Sequence, residues 1–245
     1  MMTLKTATVT LSGTAISVKR RALRADRLRS ICRLHILHSL CILDILLVFS
    51  ILMRNASKMT ITLLAKKGGV GKSTVCLLLH EAFKKAGKSV AIQDWDAQGT
   101  SNKALGLIEG LRAEPNVVYD ILLYDTPPNL EHPATAAAVR SADIALIVTS
   151  PAPADVWEAA EAVQFAQTKG SHAAVRVLFN KVKKNTILGR LVDESAKNVG
   201  APVIPIHLTY RECYQHAIGQ GWKALDATAR EEVLQLAVSL MSLSD

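Results

Sequence analysis

The stretch "LLAKKGGVGKSTVCLLLHEAF" (Leu63–Phe83) decides the fold. An apolar run breaks into a loop rich in lysine and glycine, and apolar residues then resume at helical spacing. Gly71, Lys72 and Ser73 fill the end of the phosphate-loop pattern G-x-x-x-x-G-K-[ST], whose first glycine falls on Lys66. Strictly scored, the pattern is absent. The physics survives the mismatch, because Gly68, Gly69 and Gly71 can take backbone angles closed to other residues, so successive N–H groups can curl around an anion. Ser73 would open a helix whose N-terminal dipole favours negative charge. Lys72 would set a point charge on the β- and γ-phosphates, and the Ser73 hydroxyl would take a Mg²⁺ position. "TITLLA" (Thr60–Ala65) is predicted to be a buried strand and "STVCLLLHEAFKKAG" (Ser73–Gly87) a helix ending on glycine.

Lys67 gives the misfit a meaning. "KGGVGKST" (Lys67–Thr74) resembles the deviant Walker A motif of the ParA/MinD family of partition and positioning ATPases. That family carries a second lysine five residues before the phosphate-loop lysine and does not require the usual first glycine. The resemblance implies that ATP binds at Lys67, Gly68, Gly69, Val70, Gly71, Lys72, Ser73 and Thr74, and that Lys67 reaches across a homodimer to the partner's nucleotide. Lys66 has no such support and is expected to be a solvent-exposed neighbour.

The carboxylates that Mg²⁺ chemistry needs follow in order. In "KSVAIQDWDAQGTSNKALG" (Lys88–Gly106) a short apolar strand ends at Asp94, with Asp96, Gln98 and Gly99 next. This segment is similar to the family's D-x-D-P-Q-G switch, with Ala97 in place of proline. The resemblance implies that Asp96 orients the attacking water and joins Ser73 and Asp125 on the metal side, with Asp94 in support. Carboxylates at strand C-termini of a parallel sheet face the ligand crevice. Ala97 leaves a turn that proline would stiffen, and Trp95 has no explanation in the sequence alone. "YDILLYDTPPN" (Tyr119–Asn129) is a hydrophobic strand delivering Asp125 and stopped by Pro127 and Pro128, a Walker B pattern that also resembles the family's D-T-P-P switch. Further on, Asn180 matches a family asparagine that contacts the adenine. Arg211, Tyr214 and Gly221 match a family segment in which an arginine and an aromatic precede a helix ending at glycine.

Strands recurring at regular intervals, each followed by helical periodicity, predict an α/β fold: an open, mostly parallel, doubly wound sheet with helices on both faces. The 187 residues from Met59 to Asp245 suffice for one well-buried domain and not two. The four cysteines (Cys32, Cys41, Cys76, Cys213) form no C-x-x-C pair, which argues against a metal or iron–sulfur site and suits a reducing cytoplasm. Cys76 and Cys213 are expected to be packing residues.

The net charge of +8 is not spread evenly. Ten Lys/Arg and two Asp/Glu fall in residues 1–58, leaving nineteen of each in residues 59–245. The folded part is neutral overall, so a DNA contact there needs a local patch; Lys181, Lys183, Lys184, Arg190, Lys223 and Arg230 are the candidates. Residues 1–58 are expected to stand apart from the fold. They hold an arginine-rich part ("KRRALRADRLR", Lys19–Arg29) and an 18-residue apolar part (Ile36–Met53) with Asp44 near its middle. An upstream region included by a wrong start codon is the preferred reading, ahead of a membrane anchor and a short DNA-binding arm. For an anchor, the central Asp would cost about 2.5–3.5 kcal/mol on insertion scales.

The resemblance therefore implies a cytoplasmic, nucleoid-associated ATPase that partitions a plasmid or chromosome region. Its ATP–Mg²⁺ dimer would bind DNA non-specifically, and a centromere-binding, ParB-like adaptor would stimulate slow hydrolysis. The alternatives are a MinD-like positioning ATPase at the membrane, a nucleotide-dependent DNA-binding adaptor in conjugative transfer, and a metabolic ligase of the dethiobiotin-synthase type. The predicted last helix, Thr228–Asp245, has one arginine and two glutamates and lacks the basic face that MinD-like membrane binding uses.

Overall fold

A computed structural model describes residues 59–170 and 172–243. Residues 1–58, with the apolar run and the competing readings of it, lie outside the described residues. Five strands form one parallel sheet: β1 (Met59–Leu64), β2 (Val90–Asp94), β3 (Ile121–Asp125), β4 (Ile144–Thr149) and β5 (Ala174–Phe179), in the order β2-β3-β1-β4-β5. Their near-continuous apolar sequences are those of strands buried on both faces. One hydrophobic cluster, including Ile61, Leu63, Ile92, Leu123 and Leu146, packs against helices α1 (Lys72–Lys85) and α8 (Ala227–Met241). The other, including Leu64, Ala145, Ile147, Val177 and Phe179, packs against α4 (Pro153–Lys169).

The connecting helices are α2 (Thr100–Leu107), α3 (Pro133–Arg140), two short turns α5 (Ile187–Arg190) and α6 (Val192–Ala196), and α7 (Glu212–Gln220), which runs into a 3₁₀ turn at Gly221–Ala224. Their starts have local causes. Pro133 and Pro153 occupy first-turn positions, where a missing N–H costs nothing. Asp226 caps α8 by accepting from the Ala229 amide at 2.8 Å.

The sheet edges are partly covered. Ile92 N donates to Leu111 O and Ala113 N to Ile92 O at 3.1 and 2.9 Å, laying residues 111–113 along β2. Residues 202–210 do the same along β5 and just beyond it, through bonds linking Val177, Phe179 and Val182 to Pro202, Ile204, Leu208 and Tyr210. Part of each edge is thus withdrawn from pairing with another chain, at Ile92 on β2 and at Val177 and Phe179 on β5. Chain order reverses around β1, which lies between β3 and β4. The crevice at the C-terminal end of β1 is the topological switch point where open α/β sheets bind ligands.

Candidate functional site

The buried run of β1 delivers its chain directly into residues 65–71, and α1 starts at Lys72. Gly69 and Gly71 sit at φ +85° and +96°, angles that disfavour any side chain. Val70 between them is only 5% exposed and anchors the loop in the core. The loop opens onto a cleft of about 400 Å³ lined by residues 67–74 with Asp96, Gln98, Thr100, Pro128, Lys181, Gln215 and Ile218. The first turn of α1 holds no acidic residue, so the helix terminus presents its positive end to the cleft unopposed.

Lys72 is buried, with Nζ 3.4 Å from Asp125 Oδ1. The other oxygen of Asp125 accepts from the Ser101 hydroxyl at 2.6 Å. Asp94 stands beside Asp125 at the end of the adjacent strand. Its two oxygens accept from the Asp96 and Asn102 amides at 3.0 and 2.9 Å. Burial pushes the Asp94 carboxyl above its ordinary value, and the charge of Asp125 adds to the shift. Asp96 reaches the cleft and closes its own turn: Oδ1 accepts from Gln98 N at 3.0 Å, and its carbonyl accepts from Gly99 N at 2.9 Å. Ala97, in place of the family's proline, lies inside the turn that these two bonds close.

Trp95 also gains a role. Its ring lies on Tyr124 with centroids 4.7 Å apart, and its amide donates to the Asp125 carbonyl at 2.9 Å, pinning the Asp94–Asp96 segment to β3.

Lys67 faces the other side of the loop. Its Nζ lies 2.8 Å from Asp155 Oδ1, and the Ser150 hydroxyl donates to the second oxygen of Asp155. Burial raises the Asp155 carboxyl, but the bonds from Lys67 and Ser150 outweigh it and hold the group below its ordinary value. Lys66 is solvent-exposed, as expected, and pairs with Glu161 on α4. A second cleft of about 480 Å³ opens here, and Lys67, Asp155, Lys181, Lys183, Leu188 and Tyr210 are among its walls.

Asn180 is 5% exposed and lines neither of these two clefts; its amide donates to the Val70 carbonyl at 2.9 Å. Arg211 and Tyr214 join a network around Glu232, which also accepts from the amide and hydroxyl of Thr209. Gly221, at φ +60°, leaves room for Glu81, whose Oε2 a side chain there would meet at 2.7 Å. Of the candidate DNA contacts, Lys181 bonds the Gly69 carbonyl, Lys183 lies over Tyr210 and Arg230 lies over Trp222. Lys184, Arg190 and Lys223 are exposed. Cys76 is buried in α1 and Cys213 half-buried in α7, as expected for packing residues.

Sequence reasoning missed Ser101 and Asp155, and it placed Lys181 on a DNA face rather than at the loop. A hard-oxygen set of the Ser73 hydroxyl and the Asp96 carboxylate in the cleft, with Asp125 behind Lys72, suits Mg²⁺ better than a softer metal. Among the described residues no helix is long and apolar enough to cross a membrane.

Residues 61–222 match the family described as "CobQ/CobB/MinD/ParA nucleotide binding domain". "Maintenance of carboxysome distribution protein A" of Gloeobacter kilaueensis is 28% identical over 193 residues, which are 70% of this chain and 88% of that protein. Among solved structures, the MinC:MinD cell division protein complex of Aquifex aeolicus matches 75% of this chain and 96% of that one, at TM-score 0.62 and 20% identity. A putative plasmid partition protein of Borrelia burgdorferi, bound to AMPPNP, matches 74% and 99% at TM-score 0.60 and 16% identity. These structural likenesses establish the fold, an all-parallel P-loop sheet. The family match covers more than half of the chain and includes the glycine-rich loop, Asp96 and Asp125. The chain belongs to the CobQ/CobB/MinD/ParA family of nucleotide-binding proteins.

Proposed function

We propose that the chain is a ParA-like ATPase that positions cargo on DNA through an ATP-dependent homodimer, and that an adaptor bound to the cargo stimulates its hydrolysis. The observation that carries this reading is the gathering of Lys67, Lys72, Asp96 and Asp125 around one phosphate-sized loop, with Lys67 on its outer flank. Lys72 supplies positive charge to the β- and γ-phosphates, where charge accumulates as the bond to the leaving group breaks. The loop amides and the α1 terminus hold the phosphates in register. Asp96, at the mouth of the cleft, positions the water. Ser73, Asp96 and Asp125 would hold Mg²⁺, which neutralises phosphate charge when bound. Asp94 and Asp125 tie the switch to the start of α2, so loss of the γ-phosphate can be transmitted to that helix.

Lys67 leaves Asp155 for the partner's nucleotide as the dimer forms. Lys67 is half-exposed in this pair, and Asp155, only 13% exposed, keeps its bond from the Ser150 hydroxyl when the lysine leaves.

A replicon is the cargo in the partition reading. The Gloeobacter relative, by its name, distributes carboxysomes, and that favours a second reading in which the cargo is a protein body. Deleting the gene separates the two: plasmid or chromosome loss in the first case, mislocalised bodies with faithful DNA inheritance in the second. MinD-like membrane binding through the last helix is disfavoured, because Val233, Leu234, Leu236, Ala237 and Leu240 of α8 are buried in the core.

Light scattering with and without ATP tests the dimer. The chain should pass from monomer to dimer with ATP, and Lys67→Ala should bind ATP yet stay monomeric. A Lys67→Ala variant that still dimerises with ATP would contradict the proposal.

A further inference from the structure

At the end of β5, Asn180 and Lys181 hold two successive carbonyls of the nucleotide loop. Asn180 Nδ2 donates to Val70 O at 2.9 Å, and Lys181 Nζ donates to Gly69 O. A trans peptide is planar, with its C=O and N–H pointing opposite ways. Turning the Gly69 and Val70 carbonyls toward β5 therefore turns the amides of Val70 and Gly71 the other way, into the loop.

The two holders are themselves fixed. Asn180 N donates to Thr149 O at 2.7 Å, and Val182 is bonded on both sides by Leu208 and Tyr210. Between them Lys181 sits at φ +57°, a left-handed conformation that a residue with a long side chain seldom adopts. The fit is also close. A Cβ on Gly71 would lie 2.4 Å from Asn180 Nδ2 and 3.6 Å from Lys181 Cε, so this glycine makes room for those side chains as well as for its own positive φ.

We propose that Asn180 and Lys181 are positioning residues: a clamp on the carbonyls of the nucleotide loop that presets the amides of Val70 and Gly71 toward a bound polyphosphate, with Lys181, a wall of the cleft, adding its charge to the field at the phosphates. The inference rests on the nucleotide-binding reading and gives Asn180 a task different from contact with the base.

Calorimetry on the full chain with ADP, GDP and inorganic pyrophosphate tests it. Lys181→Met, which keeps the stem, and Asn180→Ala should weaken all three ligands by a similar factor, about tenfold for the loss of a bond to or from a charged or buried group. The ratio of ADP to GDP affinity should stay unchanged, and Lys181→Arg should recover most of the loss. Lys181 is half-exposed, so Lys181→Met should leave the thermal midpoint close to wild type and carries the test if Asn180→Ala folds poorly. Unchanged pyrophosphate affinity in Lys181→Met would overturn the clamp. So would an Asn180→Ala variant that loses its preference between ADP and GDP while binding pyrophosphate normally, because Asn180 would then be reading the base. A wild-type chain that binds none of the three ligands would instead remove the nucleotide-binding reading beneath the proposal.

Discussion

At the scale of single residues, the site joins one contiguous loop, residues 67–74, to side chains far from it along the chain. Lys67, Lys72 and Ser73 are identifiable because their spacing within eight residues is itself the signal. Ser101 and Asp155 complete the same site from 24 residues before Asp125 and 88 residues after Lys67, and neither lies in a motif that announces it. Removing the Ser101 hydroxyl leaves a buried carboxylate oxygen without its donor. Ser101→Ala should cost about 1–3 kcal/mol of stability, measured by denaturant unfolding. If Asp125 serves hydrolysis as proposed, the effect on turnover should exceed that on nucleotide affinity. Gly71→Ala meets both a forbidden φ and the Asn180 amide. It should abolish nucleotide binding in calorimetry while the remainder of the sheet still folds.

At the scale of elements, the strands were the easiest to read. Runs such as Ile144–Thr149 are buried along their whole length, and apolar sequences bounded by turns describe that state directly. The partial covering of both sheet edges by residues 111–113 and 202–210 was not legible, because isolated backbone bridges leave no periodicity in the sequence. Arg211 and Tyr214 were read through a motif, whereas the structure spends them on the carboxylate of Glu232, which ties α7 to α8. Burial raises Glu232, but the Thr209 amide, the Tyr214 and Thr209 hydroxyls and Arg211 outweigh it and hold the group below its ordinary 4.5. A carboxyl with a depressed folded pKa contributes stability that is complete above the unfolded pKa and disappears as pH falls through the folded one. Glu232→Gln should therefore be less stable than wild type by about 1–3 kcal/mol near neutrality. The two proteins should converge in acid, a pattern that denaturant midpoints against pH will show. Leu236→Ala, in the fully buried stripe of α8, should cost about 2–5 kcal/mol in the same assay.

At the scale of the whole molecule, charge and topology divide the work. The described domain lies within a stretch carrying equal numbers of acidic and basic residues, so any affinity for DNA arises from local placement and not from an overall field. Sheet order places the loop from β1 between the ends of β3 and β4. Under the proposed reading, one nucleotide at that switch point would lie between the Asp94–Asp96 and Asp125 segments on one side and the Lys67–Asp155 pair on the other. That geometry is the basis for treating ATP as the signal that frees Lys67 for a partner subunit. The most direct test is the ATPase rate of the chain with and without non-specific DNA, measured beside Lys67→Ala. The account predicts that DNA raises the wild-type rate and that the variant shows no stimulation. A rate indifferent to both DNA and Lys67 would contradict it.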